Sequence, residues 1–91
     1  MTVAPRGGST RPTAAIEAET QRCIGLASRD VAALTRALEA FSNMRAEPFV
    51  ARVLCERALV SGDARELDAG LARLERLGDV EQIQRYERRR A

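Results

Sequence analysis

The sequence predicts an all-α protein of two helical hairpins followed by a C-terminal capping helix. Three observations carry this. Phe49 to Val60 (FVARVLCERALV) is apolar at nine of twelve positions, and a helix apolar over most of its circumference packs on several sides at once. Leu34, Leu38, Phe41 and Met44 are spaced four, three and three, and so are Leu67, Leu71, Leu74 and Leu77; that is the period of a helix face. The two stripes and their capping residues, Asp30 and Asp63, stand 33 residues apart, which points to an internal repeat of hairpins.

In chain order, residues 1–12 (MTVAPRGGSTRP) carry Pro, Gly and polar residues with almost nothing to bury, and read as a disordered arm. The GGST fragment lacks a following Lys and a preceding strand, so it is no phosphate loop. The helical domain spans 13–88. Helix one is expected over 14–27, with Thr13 as cap and Ile16, Thr20, Cys23, Ile24 and Ala27 as its apolar side. Gly25 weakens it by about 1 kcal/mol against Ala and suits a close helix contact. Ser28 and Arg29 turn the chain. Asp30 caps helix two, 31–45.

Ala46 and Glu47 link to Pro48, which suits a first helical position. The central helix then runs over 49–60, and Gly62 ends it. Asp63-x-x-Glu66 opens helix four, 64–77, as a capping box. Gly78 closes it, and Asp79-x-x-Gln82 caps helix five, 80–88. Val80, Ile83 and Tyr86 form a thinner apolar side on helix five. Glu81 and Arg85 stand four apart, in the favourable order for an ion pair. Residues 89–91 form a basic tail.

A hairpin pair with this period resembles the tetratricopeptide family. Ala51, Leu54, Cys55 and Ala58 before Gly62-Asp63, then Leu67, Leu71 and Leu74, follow its pattern, although its Trp and Tyr would fall on Ala51 and Ala58. The run Ala37-x-x-x-Phe41-x-x-Met44-x-Ala46-x-Pro48-x-x-Ala51-Arg52 resembles repeats in the C-terminal regions of bacterial class III adenylate cyclase-linked and LuxR-type ATPase regulators. In those repeats a Gly usually stands where this chain has Arg45. The resemblance implies a detached terminal segment of such a regulator, or an independent small relative.

The chemistry available is narrow. The chain has 91 residues, a formal charge of +2, no His and no Lys; all fifteen basic residues are Arg. Without His there is no His general base and no Ser/His or Cys/His pair. Without Lys there is no Schiff base. Cys23 and Cys55 lack metal-ligand spacing and read as small hydrophobes. We therefore expect no enzyme, no cofactor and no metal. No apolar run reaches membrane-spanning length, and a cytoplasmic protein is the default.

The expected partner is another protein or a larger regulator. Glu56 lies on the most apolar helix and needs a partner such as Arg52 or a water-filled groove. Arg52 and Glu56 are thus partner-binding candidates, with a structural ion pair as the plainer role. Ile16 and Ile24 are candidates because helix one leaves its apolar side without cover; a homodimer would cover it. Arg85, Arg88 and Arg89 suit the helix dipole or an acidic surface. Nucleic acid ranks behind these, since no base-reading motif accompanies the arginines.

Overall fold

The computed structural model describes residues 12–90. It contains five helices: α1 Pro12–Ser28, α2 Val31–Asn43, α3 Glu47–Ser61, α4 Ala64–Leu77 and α5 Val80–Arg90. No strand occurs among the described residues. The expected N-terminal arm lies outside them, except for Pro12, which begins α1. Arg89 and Arg90 belong to α5 rather than to a tail.

The caps follow from local chemistry. The Asp30 carboxylate accepts the Ala32 and Ala33 amides, and Asp63 accepts that of Glu66. Asp79 accepts that of Gln82. The capping box at Asp63 is only half made, because the Glu66 side chain turns to Arg57. Helix α3 starts earlier than expected, at Glu47, with Ala46 at its N-cap and no side-chain bond there. Helix α2 stops at Asn43, short of 45, because Arg45 turns left-handed at φ 56°.

The helix ends recur at one interval. Ser28 and Ser61 end α1 and α3; Val31 and Ala64 open α2 and α4; Glu47 and Val80 open α3 and α5. The left-handed residues also correspond: Arg29 with Gly62, and Arg45 with Gly78. Each pair is 33 residues apart. Left-handed backbone costs an Arg roughly 1 kcal/mol that Gly avoids, so the first hairpin's turns are the strained ones.

Neighbouring helices run antiparallel. Cys55 meets Gly70, and Arg57 meets Glu66, across α3 and α4. Phe41 stacks on Phe49 at 5.0 Å across α2 and α3. Helix α3 packs against all four others. It joins two cores. One gathers Ala18, Leu34, Ala37, Phe41, Val50 and Val53; the other gathers Ala51, Cys55, Ala58, Leu67, Leu71, Leu74 and Tyr86. Glycines set the tightest approaches. A methyl group on Gly25 would lie 2.5 Å from Leu34 Cγ, and one on Gly70 would lie 2.7 Å from Cys55 Sγ.

Several large apolar residues lie outside the core, and on α1 these are the ones expected to lack cover. Helix α1 turns Ala18 and Gly25 inward, so Ile16 and Ile24 are 63% and 44% exposed. Phe49, Leu77 and Val80 are also largely exposed. Small residues face the partner helix because the α1–α2 approach at Gly25 leaves no room for an isoleucine. No helix of the described residues is long and apolar enough to cross a membrane.

Candidate functional site

Helices α1 and α3 are the first members of the two hairpins, so they run parallel, with α5 beside α3 in the same sense. A trough lies between α1 and α3. Its character changes along its length.

At the N-terminal end, Ala15, Ile16, Thr20, Cys23 and Ile24 of α1 face Phe49 of α3, with buried Phe41 of α2 beneath. Glu19 also lines this groove of about 550 Å³. The Arg52 guanidinium lies over the Phe49 ring at 5.6 Å, a favourable cation–π arrangement.

Midway, the trough is crossed by an ionic bridge. Glu56 is 2% exposed. The Arg22 guanidinium donates twice to its carboxylate, Nε to Oε1 and Nη2 to Oε2, each at 2.7 Å. The Tyr86 hydroxyl donates to Oε2 at 2.7 Å. Arg22 Nη1 also donates to Glu19 at 2.8 Å. This network ties α1, α3 and α5 together where α1 and α3 share few apolar contacts. A bidentate, charge-assisted pair supplies the geometric precision that such a thin contact lacks. The adjacent carboxylate raises the Arg22 pKa. Burial, then the nearby Glu56 charge, raises that of Tyr86.

At the C-terminal end, Leu26 of α1, Arg29 of the turn that follows it, Glu56, Leu59 and Val60 of α3, and Arg89 of α5 surround a cavity of about 490 Å³. Arg29 and Arg89 are exposed, and neither pairs with a carboxylate among the described residues.

The expected partner residues divide accordingly. Ile16 and Ile24 share the apolar end. Arg52 flanks that end and is bridged to Asp79 at 3.5 Å, not to Glu56. Glu56 takes Arg22 instead and is too buried to offer a surface. Arg89 reaches the cationic end. Arg85 and Arg88 are exposed on α5 outside both cavities, and among the described residues Arg85 forms no ion pair with Glu81. Arg22, Arg29, Phe41 and Phe49 were not singled out from sequence as site residues. Arg22 had one available signal: Glu56 needed a cation, and the repeat aligns α1 beside α3.

Among the described residues, two buried polar atoms have no hydrogen-bond partner, Glu19 Oε1 and Arg52 Nε. Both belong to residues beside the apolar end, and they stand 33 apart. Among the described residues no group of three or more His, Cys, Asp or Glu could hold a metal ion. Comparison of the chain with protein families, with curated proteins and with solved structures found no match.

Proposed function

We propose that this chain is a noncatalytic, tetratricopeptide-like interaction module, and that it binds a protein partner in the trough between α1 and α3. The observation that carries the reading is the apolar groove formed by Ile16, Cys23, Ile24 and Phe49 over Phe41. Large apolar side chains exposed together, rather than scattered singly, mark interaction surfaces. The resemblance to regulator repeats suggests a cytoplasmic signalling or transcriptional context.

The ends of the hairpin stack argue for the trough over further stacking. Val50 and Leu54 of α3 pack toward α2. The corresponding residues of α1 are Glu17 and Gln21, which line the outer face of the first hairpin. Ala51 and Cys55 of α3 face α4, whereas the corresponding residues of α5 are Gln84 and Arg88, both exposed. Polar residues at both stacking positions suit solvent, as on the terminal units of repeat arrays. Of the exposed large apolar side chains, Ile16, Ile24 and Phe49 are gathered in the trough, whereas Val31, Leu77 and Val80 lie outside it.

The test is capture from native extract by the immobilised chain, compared with the Ile16→Glu/Ile24→Glu variant. Both isoleucines are exposed, so the variant should keep its circular dichroism spectrum and melting curve. It should lose the partner. Equal capture by both proteins would overturn the assignment. Binding that instead tracks the α5 arginines and weakens steeply with salt would favour nucleic acid.

A further inference from the structure

The trough's two ends differ in chemistry, and the difference specifies a partner. This rests on the trough being the binding site, as proposed above. The N-terminal end is apolar. The C-terminal end carries Arg29 on one wall and Arg89 on another, with Leu26, Leu59 and Val60 between them. Carboxylates are present in the trough: Glu19 and Glu56 share the single Arg22 guanidinium. With Arg29 and Arg89 unpaired among the described residues, these five side chains leave the trough net positive, with the excess at its C-terminal end. Arg85, exposed on the same helix as Arg89 and equally unpaired among the described residues, adds to that field.

We infer that the trough takes a short acidic protein segment with an apolar anchor. The anchor fills the groove over Phe41 and Phe49, and the segment's Asp or Glu side chains meet Arg29 and Arg89. From Ile16 to Ser28, the residue before Arg29, the helix rises about 18 Å. An extended chain of roughly six residues or more covers that span. The charge pattern sets polarity as well as affinity. A segment laid the other way would place its carboxylates beside Glu19 and its apolar side chains against two guanidinium groups, which disfavours that register. A basic segment is disfavoured at the cationic end for the same reason.

Random peptides of twelve residues displayed on phage, selected on the immobilised full chain, provide the probe. Enriched peptides are then synthesised with a fluorescent label and titrated. The expected consensus pairs large apolar residues with Asp or Glu toward one end. Affinity should fall by about tenfold in Arg29→Glu/Arg89→Glu, and by less in Arg29→Gln/Arg89→Gln. It should also fall as salt is raised, because these contacts are exposed. Both arginines are on the surface, so matching circular dichroism spectra should accompany the loss.

Apolar peptides without acids, binding equally to the double-Glu variant, would overturn the acidic assignment and leave the interaction site standing. A consensus rich in Lys or Arg would do the same. Failure to enrich any peptide would overturn both readings. Sedimentation equilibrium supplies a separate outcome: a dimer abolished by Ile16→Glu would give the trough to a second copy and overturn this inference.

Discussion

Cys23 and Cys55 show how placement decides the behaviour of one residue type. Cys23 is exposed beside the apolar groove, and Cys55 is buried between α3 and α4. Burial, helped by the neighbouring Glu56 charge, pushes the Cys55 thiol up to about 12. Reactivity requires thiolate, so a disulfide-exchange reagent at neutral pH should label one thiol in the native protein and two in denaturant. Rapid native labelling of both would contradict the buried position. The same burial has a pH consequence. Below the ordinary thiol value Cys55 is neutral whether folded or not. Above it, the unfolded chain loses the proton first, so stability falls as pH rises toward about 12. Tyr86, whose pKa is also raised, adds to this decline above the usual tyrosine range. Melting temperatures from pH 8 upward should fall less steeply for Cys55→Ala than for the parent protein, even though the variant starts lower. Parallel slopes would remove the thiol from the account.

Between helices, the Arg22–Glu56–Tyr86 network raises a sharper question of energy. A buried carboxylate with three hydrogen bonds looks stabilising, but its desolvation opposes the gain. The informative comparison is therefore between variants. Glu56→Ala leaves Tyr86 without its acceptor and Arg22 with Glu19 alone, and should cost about 3 kcal/mol, measured by urea unfolding. Arg22 is partly exposed, which holds the cost at the lower end of the usual range. Arg22→Met/Glu56→Leu/Tyr86→Phe removes the three linked polar side chains together, leaves Glu19 without its cation, and should recover part of that loss. If the triple variant is instead the least stable, the network contributes net stability and not only the alignment of α1, α3 and α5. Arg57, the next residue on α3, ties a different set of helices, donating to Thr35 of α2 and Glu66 of α4.

Over the whole molecule, α3 is common to both cores while α5 rests on few residues. Tyr86 and Gln82 are its only buried residues, with Ile83 partly covered. Amide hydrogen exchange should therefore be slowest in α3 and fastest, among the helices, in α5. Exchange as slow in α5 as in α3 would mean that one cooperative unit includes the last helix. That hierarchy bears on function. Arg89 sits on the helix held least firmly, so the cationic end of the trough is the region best able to adjust to a ligand.

By itself the sequence determined the local features: five helices, Asp caps at 30, 63 and 79, left-handed Gly at 62 and 78, and the 33-residue spacing of the two leucine stripes. These depend on residues within a few positions of one another, where helix period and capping chemistry act directly. Even the exposed apolar side of α1 was legible, because no apolar stripe remained to cover Ile16 and Ile24. Only the tertiary structure decided that Glu56 takes Arg22 and not Arg52. It also decided that Phe49 opens onto the groove while Phe41 floors it, and that Arg29 and Arg89 meet across one cavity. Those outcomes depend on how three parallel helices are rotated about their axes. Close approaches at Gly25, between α1 and α2, and at Gly70, between α3 and α4, fix part of that rotation, since a single methyl group would collide there, and the spacing of residues along one helix carries no information about its rotation against another.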